Sequence, residues 1–126
     1  MIDGLFNQTS YVAAKRLLDV TALRQEAIAS NIANVETPNY KRLDVAPAFA
    51  NELRQAIESK DLSRLATSRP QLATDGSAIA RRKDGNTVDL ESELMRMNQN
   101  FLEHQLETQL ISGSMMKLRL AITGRA

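Results

Sequence analysis

The sequence predicts a mainly α protein: long N- and C-terminal helices paired as a coiled coil, with an irregular middle segment between them. Three observations predict this. A 3-4 apolar spacing runs through residues 11–35, and the same period returns over residues 90–122. Between them, from Lys41 to Asn86, the period disappears. Alternating steps of three and four are the heptad rule of a helical seam. Composition agrees. Aromatic residues are 4% and Trp is absent, while hydrophobic residues reach 43% of the 126. A core of Leu, Ile, Ala and Met favours helix-on-helix packing over a β-sandwich.

The N-terminal helix is expected from about Thr9 to Asn34, with Thr9 or Ser10 as N-cap. Its seam is Tyr11, Ala14, Leu18, Thr21, Gln25, Ile28, Ile32 and Val35, of which six of eight are apolar. Ala13, Leu17, Val20 and Ala27 form a second strip beside it. The helix ends where Pro38 removes an N–H and pushes Thr37 toward an extended conformation. Asn34 and Asn39 tolerate left-handed backbone.

In the middle segment, Pro47 can open one short helix carrying Phe49, Leu53 and Ile57 on one face. Asp61 to Gly76 reads as an irregular excursion, and Ile79 to Arg82 fits a short strand between two Asp-Gly turns. A structureless stretch of this length is uncommon inside a compact domain, so it is expected to lie on partners or to be mobile.

The C-terminal helix is the clearest element. Asp89 can cap it, Glu91 and Glu93 suit its positive end, and Lys117, Arg119 and Arg125 suit its negative end. Its seam is Leu90, Leu94, Met97, Phe101, His104, Thr108, Ile111, Met115, Leu118 and Ile122, with eight of ten apolar. From residue 88 to 123 it would be about 50 Å long. Leu102, Leu106 and Leu110 lie off that seam. Gly113, costing about 1 kcal/mol inside a helix, marks a kink or a close helix contact. Leu18, Ile28, Ile32, Leu94, Met97, Phe101, Ile111, Met115 and Leu118 are the candidate assembly residues. Both helices carry apolar surface beyond their seams, more than one hairpin can cover, and uncovered apolar strips mark interfaces.

The chain divides as one domain, 1–126: an N-terminal helix and exit over 1–36, a middle segment over 37–86, and a C-terminal helix over 87–126. Net charge is +1 with both signs interleaved, and the one basic cluster, Arg81-Arg82-Lys83, is followed by Asp84. No basic stripe points to nucleic acid. There is no Cys, hence no disulfide, zinc ribbon or thiol nucleophile. No apolar run is long enough to span a membrane. Met1 to Phe6 lacks a basic region and an apolar region, so no cleaved secretory signal peptide is expected. The single His104 sits in the seam, Glu103 is its neighbour rather than three residues away, and no glycine phosphate loop or nucleophile elbow occurs. No catalytic residue, metal ligand or cofactor is assigned.

Two stretches carry a family resemblance. Ser30-Asn31-Ile32-Ala33-Asn34, followed by Thr37-Pro38-Asn39-Tyr40, resembles the N-terminal signature of bacterial flagellar axial proteins, the rod, hook and hook-associated families. The family usually has glycine where this chain has Asn39, and asparagine is the next most tolerant residue for a positive φ. Asp84-Gly85-Asn86-Thr87-Val88-Asp89 resembles the entry to the C-terminal helix of the proximal rod proteins, as does Leu110-Ile111-Ser112-Gly113. The resemblance covers residues 1–45 and 84–124. It implies a structural rod subunit that polymerises with other rod proteins and copies of itself around the export channel and transmits torque. It implies secretion by the flagellar type III apparatus, and contact with the export gate and the rod-to-membrane-ring junction. The alternatives are the other short proximal rod protein, whose C-terminal helix typically lacks the Asp-Gly-Asn entry, and a soluble helical adaptor or signalling module.

Overall fold

The computed structural model describes residues 8–123; the side chains of residues 8, 9, 114, 117, 118 and 121–123 lie outside the described set. The Thr9 cap, Lys117, Leu118, Ile122 and Arg125 of the sequence reading therefore fall outside the described residues, in whole or in side chain.

Helix α1 spans Gln8–Ala33 and helix α4 spans Leu90–Thr123. Between them come β1 (Leu43–Val45), α2 (Ala48–Glu58), α3 (Leu62–Thr67) and β2 (Leu72–Thr74). The two strands pair antiparallel, Leu43 with Thr74 and Val45 with Leu72. The protein is mainly α, as the periodicity predicts.

The middle segment departs from expectation. It holds two short helices rather than one. Asp61, expected to open an irregular excursion, caps α3 instead, its carboxylate accepting from the Arg64 N–H at 3.0 Å. The strand is Leu72–Thr74, not Ile79–Arg82, which is irregular. A strand needs a partner with free backbone groups, and β1 presents its edge to Leu72–Thr74. Part of the segment packs on the chain itself. Phe49, Leu53, Ala56 and Leu65 form a buried cluster against Val12 and Val20 of α1. Val20 belongs to the second apolar strip of α1, so part of that strip is covered within the chain. Ile57, expected on the buried face, is 39% exposed, and Ala56 takes its place.

The α1–α4 contact also differs from the expected apolar seam. Among the described residues of α4, Glu93 and Asn100 are the buried ones; of the described seam residues, Leu94, Phe101 and Met115 are 43%, 58% and 50% exposed, and Met97 and Ile111 are half-buried. On α1, Ile28 is buried while Leu18 and Ile32 are half-buried. Polar pairing sets the rotation of α4. A buried donor or acceptor without a partner costs about 1–3 kcal/mol; the observed rotation gives Glu93 its Arg42 partner and Asn100 Nδ2 the Thr21 carbonyl, leaves Asn100 Oδ1 without a partner among the described residues, and leaves leucines outside. α4 is continuous through Gly113, and a Cβ there would meet open space within the chain.

Candidate functional site at the helix exit

The residues that end α1 and start α4 meet in one polar knot. Asn31, on the last turn of α1, is fully buried. Its Oδ1 accepts from the Leu43 N–H at 2.8 Å and its Nδ2 donates to the Leu43 carbonyl at 2.9 Å. One side-chain amide thus imitates a neighbouring strand and holds β1 against the helix. Asn31 Oδ1 also accepts from the Tyr40 hydroxyl at 3.3 Å, and Tyr40 lies 3.0 Å from the Ser30 hydroxyl.

Asn86 closes the exit from the other side. Its Nδ2 lies 2.9 Å from the Asn34 carbonyl, 3.1 Å from that of Val35 and 2.8 Å from that of Thr37. These are carbonyls at and just beyond the helix end, which have no partner within the helix itself. Asn86 Oδ1 accepts from the Val88 N–H at 2.7 Å, and Asp84 Oδ1 accepts from the Asn86 N–H at 3.0 Å. Asn39 adopts φ 60°, and its N–H donates to the Asp84 carbonyl at 2.8 Å. Gly85 has φ 79° and packs against Asn39 so closely that a Cβ would collide with the Asn39 side chain. The two turns interlock, and each needs a residue that tolerates positive φ.

A buried ion pair ties the knot to α4. Arg42 Nε donates to Glu93 Oε1 at 2.7 Å and Arg42 Nη1 to Asp75 Oδ2 at 2.6 Å. Arg42 is 4% and Glu93 1% exposed. Burial works against the Arg42 charge, but the bonds to Glu93 and Asp75 outweigh it and hold the guanidinium protonated even more firmly than usual. Asp75 is held below the ordinary carboxylate range, first by the Ser77 hydroxyl and also by Arg42. Asn31 Nδ2 reaches Glu93 Oε2 at 3.3 Å, so α1, β1 and α4 share one network.

Further along, Thr21 is the polar hinge of the helix pair. Its hydroxyl lies 3.1 Å from His104 Nδ1 and 3.1 Å from Glu107 Oε2. Asn100 Nδ2 donates to the Thr21 carbonyl at 2.9 Å. Burial pushes the Glu107 carboxyl up, against the opposing Thr21 bond.

The predicted motif residues separate into two groups. Ser30, Asn31, Asn34, Tyr40, Asp84, Gly85, Asn86 and Val88 come together in or beside the knot. Ala33, Thr37 and Pro38 are exposed, Thr37 bonding only Asn34 Oδ1 (3.1 Å) through its side chain, while Asp89 accepts from Ser92 at the start of α4. Ile32 is half-buried. Sequence reading missed Arg42, Asp75, Glu93 as an ion-pair partner, and Asn100. Glu93 had been placed only by helix polarity. Arg42 stands two residues past Tyr40 with nothing in sequence to show its burial. Among the described residues no group of His, Cys, Asp and Glu could hold a metal ion, and no helix is long and apolar enough to cross a membrane.

The family described as Flagella basal body rod protein matches residues 13–41, which contain α1 from Ala13 and the whole exit motif. Three relatives extend the likeness along the chain, each a flagellar basal body rod protein FlgB. That of Borrelia hermsii is 37% identical, covering 77% of this chain and 83% of its own. That of Escherichia coli (strain K12) is 32% identical over 76% of this chain and 80% of its own. That of Bacillus subtilis (strain 168) is 30% identical over 81% and 84%. The chain therefore belongs to the FlgB family of flagellar basal body rod proteins and is a structural subunit of the rod.

Proposed function

We propose that this rod subunit works as one unit of residues 1–126 in the proximal rod. There it packs with copies of itself and other rod proteins around the export channel, transmits torque, and meets the export gate and the rod-to-membrane-ring junction. Delivery is through the flagellar type III apparatus. One observation carries the assembly reading. The polar knot fixes how α1, β1 and α4 meet, and in doing so turns apolar side chains of α4 outward: Leu94, Phe101, Leu102 and Leu106 are 43–65% exposed. Contiguous apolar surface of this kind marks an interaction face. A knot built from buried, mutually satisfied polar groups keeps the helices in one register under load, which a slippery leucine seam does less well.

The site-level reading is that Ser30, Asn31, Asn34, Tyr40, Asp84, Gly85, Asn86 and Val88 set subunit geometry, while Leu94, Met97, Phe101, Ile111 and Met115 face neighbours. The test is Leu106→Asp. A residue this exposed has little to lose in the free chain, so its urea midpoint should stay within about 0.5 kcal/mol of the parent. In the rod an aspartate facing an apolar neighbour is desolvated without a partner, and rod assembly and swimming should be lost. Normal swimming would defeat the assembly reading.

A further inference from the structure

Two exposed features of this chain complement each other, and the far part of the second is out of reach of the first within one molecule. The first is the loop after β2. Ile79 is 79% exposed, the most exposed of the large hydrophobic residues described, and Ala78 and Ala80 flank it. Arg81 and Lys83 follow, both exposed and making no ion pair among the described residues. Ala78, Ile79 and Arg81 border a cleft of about 300 Å³ whose far side is Ser92 and Arg96, near the start of α4. The second feature is the side of α4 turned away from α1. Met95, Leu102 and Leu106 are 69%, 65% and 60% exposed there. They share one face because they stand seven and four residues apart.

Charge favours joining them. Arg81 and Lys83 are exposed on the loop, and on α4 Glu91 is exposed and Glu103 half-buried, whereas Arg82, Glu93 and Glu107 already have partners. Glu103, beside Leu102, has only a long 3.8 Å contact with Arg24. Distance keeps Ile79 from the far end of this face within one chain: Leu106 lies ten residues beyond Arg96, about 15 Å along the helix axis.

We propose that the Ser77–Lys83 loop of one copy seats Ile79 on the Met95–Leu102–Leu106 face of a second copy, with Arg81 against that copy's Glu103. The contact joins two different surfaces, so it repeats head to tail, as an open helical array requires. It rests on the reading that copies of this chain pack together in the rod, and it names the surfaces that do so.

The chain has no cysteine, so introduced thiols are the only ones it carries. Ile79→Cys and Leu106→Cys are combined in the full chain, produced as its sole copy in flagellated cells, and basal bodies are isolated and oxidised. The expected result is a disulfide-linked ladder of this chain, with each single variant and the control pair Ile79→Cys with Ala29→Cys remaining monomeric. Arg81→Glu should cut the ladder several-fold, and Glu103→Lys added to it should restore the yield. The parent chain is located first: its absence from basal bodies overturns the rod reading and this contact with it. Its presence, with the double-cysteine chain incorporated but monomeric or with a ladder indifferent to Arg81→Glu, overturns the contact alone. If the double variant is not incorporated, a benzophenone side chain at position 79 reads the same contact. Crosslinks to α4 of another copy support it; crosslinks elsewhere, or none, overturn it.

Discussion

The Arg42–Glu93 pair gives a direct measure of how much the knot contributes. Its atoms approach to 2.7 Å with both side chains almost without solvent. Glu93→Ala leaves the Arg42 guanidinium buried beside Asp75, and takes a 3.3 Å partner from Asn31. Breaking a buried pair from one side costs about 3–5 kcal/mol; the surviving 2.6 Å bond to Asp75 argues for the lower end, about 3 kcal/mol. Arg42→Met should cost a similar amount, because Glu93 then keeps only Asn31. The double variant Arg42→Met with Glu93→Leu removes both charges and fills the space with apolar atoms. It should cost less than the sum of the single changes, by at least about 2 kcal/mol. The assay is urea unfolding followed by helical circular dichroism on all four chains. With a slope near 1.5 kcal/mol/M, each single change lowers the midpoint by roughly 2 M. Against a total stability of about 5–15 kcal/mol, the single variants should still fold. Single losses below about 1 kcal/mol that simply add in the double variant would refute the reasoning, since a pair so buried cannot be broken from one side at so little cost.

Two further outcomes follow from the geometry. Because the folded state raises the Glu107 carboxyl above its ordinary 4.5, its ionised form destabilises the fold, a penalty absent below the unfolded value and complete once pH passes the folded one. Glu107→Gln keeps an acceptor for Thr21, so it should raise the urea midpoint at pH 7 and lose that advantage below about pH 4.5; a gain independent of pH would contradict the assignment. At the turn, Asn39 holds φ 60°, so Asn39→Gly should leave stability nearly unchanged while Asn39→Val should cost about 1–3 kcal/mol. Equal midpoints for the two would show that the backbone there is not strained.

Periodicity by itself determined the helices. A heptad sustained through residues 11–35 and 90–122 has few alternatives, since no strand reuses that spacing. The exit at Pro38 and the positive φ at Asn39 were legible too, because they depend on covalent restriction within a few residues. The same holds for the order of the two motifs that mark the rod proteins. What only the tertiary structure decided was which face of α4 meets α1. The leucine heptad argued for Leu94 and Phe101, and a rule based on apolar area prefers them. Glu93, Thr21 and Asn100 Nδ2 overrule it, for leaving these groups buried and unpaired would cost more than leaving a leucine half in water, even though Asn100 Oδ1 stays without a partner among the described residues. Arg42 is the same case in reverse. Nothing local marks it for burial, and in the fold Glu93 and Asp75, 51 and 33 residues away, converge on it. The strand Leu72–Thr74 was also invisible, because a three-residue strand exists only when another edge is brought alongside it. Local rules therefore set the elements, and pairing between residues far apart in the chain set their rotation, with the apolar surface left outside as the consequence.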